Sequence, residues 1–200
     1  MLHPLNGDTT KTRQLSPTPG QILGPYFPLE PDQAADNNLV EWPGSDGLTI
    51  GSKMRLYGRI MTGDGNPIAN ALVEAWQCDA NGIYPHPDAP DHHDVDPNFE
   101  GYGRFVTKSD GTYTFRALRP VKYPGRAPHL HLKVTANSFI PLVTQMYIAG
   151  EIENDDDFAL HRIENEYLRT LLVTELLTLR DSSEDYYAHF DIVLERTSGT

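Results

Sequence analysis

Apolar and polar positions alternate with period two from about Lys53, the signature of a half-buried β-strand. Met54, Leu56, Gly58 and Ile60 share one face, and Arg55, Tyr57 and Arg59 the other. Gly63-Asp64-Gly65-Asn66-Pro67 supplies turn chemistry before a second strand at 71–77. Further strands are predicted at 103–107, 112–116, 129–136, 142–148 and 187–194, and Asp110-Gly111 reads as a hairpin turn. One segment changes period: over 156–178, Ile163, Tyr167, Leu171 and Leu172 recur at helical spacing with no Pro or Gly between them, predicting a single helix. Short strands at regular intervals with turn signals between them predict a mainly β fold. Its expected form is an antiparallel β-sandwich core with one or two helices and long loops. Residues 1–20, polar and rich in Thr, Pro and Gly, read as an N-terminal arm able to dock on a partner chain, and residues 21–200 as a single domain.

Composition narrows the function classes. The 200-residue chain suffices for one domain with a real core, and a formal net charge of -12 disfavours nucleic-acid or anionic-membrane surfaces. Cys78 is the only cysteine, so no intrachain disulfide forms. The sequence carries neither a signal-peptide pattern nor an apolar run of transmembrane length, and a cytoplasmic location is expected.

The sharpest chemical signal is Tyr123-Pro124-Gly125-Arg126-Ala127-Pro128-His129-Leu130-His131. On a strand, His129 and His131 point to one face while Leu130, Leu132 and Val134 point to the other, so two imidazoles can meet one cation. Imidazole suits zinc, copper, iron and nickel alike. Tyr123 sits across a Pro-Gly turn that can fold it over the same site, and Arg126 sets a permanent cation beside it, favouring ionised oxygen ligands or an anionic substrate. A second segment, Trp76-Gln77-Cys78-Asp79-Ala80-Asn81-Gly82-Ile83-Tyr84, ends a strand in a loop carrying a tyrosine.

These two segments, together with Asp96-Pro97-Asn98-Phe99-Glu100-Gly101-Tyr102-Gly103-Arg104, resemble the intradiol ring-cleavage dioxygenases, above all protocatechuate 3,4-dioxygenase-like chains. The resemblance implies an iron(III) cofactor held by Tyr84, Tyr123, His129 and His131. It further implies that Arg126 stabilises charge on the bound substrate and that Gln145 lies behind the ligands. The implied partners are a small aromatic diol and dioxygen, in a self-associating homo-oligomer. Two features depart from the family's catalytic chains. Gly125 stands where those chains carry a bulky Trp, and the loop from Tyr123 to His129 is shorter; both open the substrate pocket. The stretch from Thr18 to Tyr26 is similar instead to the family's non-catalytic partner subunit, which places Tyr26 at the mouth of the pocket.

Another reading is a non-catalytic binding module. The run from Thr107 to Phe115 also resembles prealbumin-like β-sandwich domains, but that likeness gives no reason for Tyr123, Arg126, His129 and His131 to cluster. A zinc-binding module using the histidines leaves both tyrosines without a role. The cluster Asp91-His92-His93-Asp94, flanked by His86 and Asp96, reads as a solvated loop, and Asp155-Asp156-Asp157 as a helix N-terminal region.

Overall fold

The computed structural model describes residues 14–197, apart from 33, 34, 43, 46, 180 and 181. Ten strands and two short helices follow in the order β1 Lys53–Thr62, β2 Leu72–Trp76, β3 Tyr102–Val106, β4 Thr112–Leu118, β5 His129–Thr135, β6 Leu142–Ile148, α1 Phe158–His161, α2 Glu166–Thr170, β7 Val173–Thr174, β8 Leu176–Leu177, β9 Tyr186–His189 and β10 Ile192–Leu194. Two five-stranded sheets result. In one, β1 is flanked by β4 on one edge and by β9 and β10 on the other, with β8 beyond β9; the second has the order β3-β2-β5-β6-β7. The β-sandwich expected from the alternation is therefore the fold. Three pairings run parallel, however: β1 with β9, β1 with β10, and β6 with β7.

The alternation places its residues as expected. Met54, Leu56 and Ile60 are fully buried while Arg55, Tyr57 and Arg59 are not. They join Phe115 from the same sheet and Val73, Leu130, Leu132, Val134 and Met146 from the other in one core cluster. Leu130 and Leu132 have no exposed surface. At about 1.5–3 kcal/mol for each such side chain, their burial pins β5 and so fixes the opposite face of the strand.

Three expectations are corrected. The helix over 156–178 is instead α1, α2 and the strands β7 and β8. Asp157 and Asn165 each accept backbone N–H bonds as N-caps and so start two separate helices, while Tyr167 faces solvent. Beyond α2 the backbone joins β6, where Tyr147 N donates to Leu172 O and Ala149 N to Thr174 O. Asp110-Gly111 does form a tight turn, but β3 and β4 belong to different sheets. Ile60 N donates to Gly111 O, which draws the chain onto β1 rather than back along β3. The strand expected over 187–194 is split into β9 and β10. Tyr113 Oη donates to Phe190 O, a Cβ on Gly58 would collide with that same carbonyl, and Asp191 accepts Arg59 N through its side chain.

The described part of the N-terminal segment is stitched to its own chain. Leu15 N donates to Gly63 O, Thr18 N to Val193 O and Gln21 N to Val143 O, and Thr18 Oγ1 accepts from Val193 N. Residues 1–13 lie outside the described region.

Candidate functional site

The period-two geometry of β5 sends His129 and His131 to the face opposite Leu130 and Leu132, where both are almost wholly buried. Their Nε2 atoms lie 3.1 Å apart. His129 Nδ1 is 2.7 Å from Ala127 O, an acceptor that fixes the proton on Nδ1 and leaves the Nε2 lone pair facing inward. His131 Nδ1 has no partner, and its ring stacks on Trp76 at 4.7 Å. Burial and then the Arg126 charge push His129 down to about 3, and burial, His129 and Arg126 hold His131 well below the ordinary value. Both imidazoles are neutral, the form that ligates metals.

Two phenols complete the cluster. Tyr84 follows β2 through a loop stapled by the buried Asp79 carboxylate, which accepts Asn81 N and Ile83 N on one oxygen and Asp96 N on the other. Gly82 takes φ +82° there, and a Cβ would sit 3.1 Å from Tyr123 Cβ, so the loop needs glycine to approach the tyrosine. Tyr123-Pro124-Gly125-Arg126 is a tight turn in which Arg126 N donates to Tyr123 O and Gly125 has φ +79°. Pro then Gly at the central positions is the chemistry of a type II turn. The Tyr84 ring meets Tyr123 at 5.6 Å and His131 at 6.2 Å, and Tyr123 meets His129 at 5.6 Å. Tyr84 Oη is buried with the Tyr123 phenol as its neighbour, too poorly placed for a well-formed hydrogen bond. Burial first, then Cys78 and Tyr123, hold its phenol well above the ordinary value. Burial also raises Tyr123, against the opposing Arg126 charge.

Two imidazoles and two phenols thus form one cluster of rings, a donor set that suits a hard cation able to hold phenolate. Among the described residues, no group of three or more His, Cys, Asp or Glu is placed to hold a metal. His92 and His93 stack on each other at 3.8 Å in a 3-10 turn, while Asp96 is occupied by Ile50 N and Asn98 N.

Arg126 is buried behind Tyr123, and its guanidinium makes four hydrogen bonds. Nε donates to Asp157 at 2.9 Å, Nη2 to Gln145 Oε1 and to Tyr147 Oη at 3.1 Å, and Nη1 to Tyr123 Oη at 3.3 Å. Gln145 in turn donates to Ile22 O, tying the N-terminal segment to the site. Asp157 was legible as a helix start but not as a partner of Arg126. It also accepts Ala127 N, so one carboxylate joins α1 to the loop before β5. Tyr26 packs on Tyr84 at 4.8 Å, and a Cβ on Gly24 would lie 3.3 Å from His131 Cε1, so the Gly24-Pro25-Tyr26 turn borders the site of its own chain. Gly125 lies at the rim with open space around it.

Nearby, Glu100 is buried with Oε2 unpartnered, and burial, then Asp36 and Asp32, push it up to about 7. Between its ordinary value of 4.5 and about 7, the folded chain keeps a proton that the unfolded chain has released. Stability therefore falls as pH rises through that window. The melting temperature should decline across it, and Glu100→Gln should remove that slope. An unchanged slope in the variant would reject the assignment.

The Dioxygenase family model matches residues 22–196. The chain is 35% identical over 153 residues to the protocatechuate 3,4-dioxygenase beta chain of Burkholderia cepacia, an alignment covering 70% of this chain and 64% of that one. It spans about half to two thirds of the length of the first curated relatives it matches. Among solved structures, the dioxygenase domain of a dioxygenase–carbohydrate-binding fusion from Streptomyces sp. SirexAA-E superposes with TM-score 0.68 at 30% identity, covering 91% of this chain and 100% of that one. An intradiol ring-cleavage dioxygenase from Tetranychus urticae superposes with TM-score 0.70 at 25% identity, covering 92% and 97%. A match running from the N-terminal turn through both tyrosines and both histidines to the last strand takes in the whole ring cluster, and the chain belongs to the intradiol ring-cleavage dioxygenase family.

Proposed function

We propose that this chain opens a catechol-type ring with dioxygen between its two hydroxyl-bearing carbons, giving a muconate-type diacid, at a ferric iron held by Tyr84, Tyr123, His129 and His131. The observation that carries this reading is a pair of histidine Nε2 atoms 3.1 Å apart, with the Tyr84 ring against His131, the Tyr123 ring against His129, and the Tyr84 hydroxyl buried. When bound, ferric iron supplies the Lewis acidity that keeps the phenols ionised and activates a chelating ring diol.

The protein side divides into positioning and proton handling. His129 is held by β5 and the Ala127 carbonyl, and His131 by β5 and its stacking on Trp76, so both Nε2 atoms stay side by side. Tyr84 is fixed by its stapled loop. Tyr123 is the less buried phenol and sits on a turn at the cavity rim, which suits it to take a proton from a substrate hydroxyl. Arg126 offsets negative charge on the ring, and Gln145 keeps the guanidinium in place through its carbonyl oxygen. Gly125 and Tyr26 shape the pocket mouth. The binding-module reading leaves the unpartnered Tyr84 and His131 atoms unexplained.

The test is turnover of catechol, hydroxyquinol and protocatechuate by iron-loaded protein under isotopically labelled dioxygen. A colourless diacid that has gained label from dioxygen is expected from at least one of the three. A yellow semialdehyde, the product of cleavage beside the diol, would overturn the proposal.

A further inference from the structure

Two cavities flank the Tyr123-Pro124 turn, of about 480 Å³ on the Arg126 side and about 380 Å³ on the Tyr84 side. Their charges are unequal. The larger is lined by Lys122 and Arg126 but also by Glu153, Asp156 and Asp157, and the smaller has Asp91 as its one charged residue. Each cation is already paired. Lys122 Nζ lies 2.6 Å from Glu153, and Arg126 is ion-paired with Asp157 and hydrogen-bonded to Gln145, Tyr147 and Tyr123. No further cation lines either cavity among the described residues, so Asp156 and Asp91 leave the approach to the site negative.

We infer that the substrate is a catechol without a carboxylate, its ring substituents uncharged or cationic. This rests on the reading of the site as a ring-diol pocket. A carboxylate on the ring would find no unpaired cation lining either cavity among the described residues and would meet two acidic side chains, a like-charge juxtaposition that rejects a ligand without any change of shape. Size does not produce the exclusion, because a Cβ on Gly125 would meet nothing within 4 Å and the rim has room for a substituent. Sign of charge is what remains. Asp156 and Asp91 are both exposed, so the discrimination acts through the surface field and weakens as salt is added.

The experiment measures anaerobic binding of catechol, hydroxyquinol, 4-(2-aminoethyl)catechol and protocatechuate to iron-loaded protein, at low and raised salt, alongside aerobic kcat/KM. Affinity should rank cationic at or above neutral, with protocatechuate weaker by roughly tenfold or more at low salt. The double variant Asp91→Asn/Asp156→Asn, and separately Glu153→Gln, which frees Lys122, should raise protocatechuate affinity while leaving catechol affinity unchanged. Tighter binding of protocatechuate than of catechol by the unmodified protein would overturn the inference, as would variants that move both ligands equally. If the diols bind in the expected order but none is cleaved, the charge inference stands and the ring-cleavage reading falls. If protocatechuate is the ring preferred in both binding and cleavage, the reverse holds.

Discussion

Asp157→Ala is expected to lower folding stability by about 3–5 kcal/mol, because it strands a buried guanidinium without its counter-charge. The carboxylate is fully buried and makes five bonds: one oxygen accepts Arg126 Nε and Ala127 N, the other Ala159 N, Leu160 N and Tyr147 Oη. Asp157→Ser keeps an N-cap acceptor for α1, worth about 1 kcal/mol, but not the ion pair, so it should recover only that part. The pH dependence has a defined sign. Burial raises the Asp157 carboxyl, but bonds from Arg126, Leu160 and Ala127 outweigh it and hold the group below its ordinary 3.8. Its stabilising contribution is thus fully present above that ordinary value and is lost as pH falls through the depressed one. Denaturant titrations should therefore show a wide gap between parent and Asp157→Ala at neutral pH that closes in acid. A gap under about 1 kcal/mol at neutral pH, within the range of ordinary surface substitutions, would mean that the pair does not hold the loop.

What the sequence shows and what it hides divides along the range of the interactions. The faces of β1 and β5 were readable because side-chain alternation is local, so His129 and His131 had to share a side wherever the strand packed. The Tyr123 turn was readable for the same reason, since Pro and Gly dictate it residue by residue. Sheet membership was not. Asp110-Gly111 turns the chain equally well within a sheet or between two, and only the docking of Gly111 on Ile60 decides. The run 156–178 has helical spacing from Ile163 to Leu172 and a legible start at Asp157, yet Asn165 begins a second helix inside it because its side chain turns back on the backbone. The Arg126–Asp157 pair joins residues 31 apart through no local pattern. The one signal for it was an acidic residue ahead of Phe158-Ala159-Leu160, which marks a helix start and says nothing of a partner. Tyr84 came into view through family resemblance, since a lone loop tyrosine has no periodicity to expose it.

Tyr84→Phe should do two opposite things at once, strengthening the metal-free fold while abolishing the metal centre. The Tyr84 hydroxyl is buried with no well-formed hydrogen bond to the protein, and a polar group left unpaired in that way costs about 1–3 kcal/mol. Phenylalanine keeps the packing against Tyr26, Tyr123 and His131 and removes the orphan, so the metal-free variant should equal or exceed its parent in stability. With ferric iron the order inverts. At the proposed centre the parent should gain stability from a metal bound to the folded state alone, whereas the variant, lacking one anionic oxygen donor, should gain far less. The readouts are the melting temperature with and without iron, metal content, and the visible charge-transfer band that a tyrosinate on ferric iron produces. His131→Ala serves as the companion, expected to lose iron and colour without the gain in metal-free stability, because it opens a void beside Trp76. A Tyr84→Phe protein that is destabilised without metal, yet keeps full iron content and colour, would show that Tyr84 is a packing residue and that the centre is built without it.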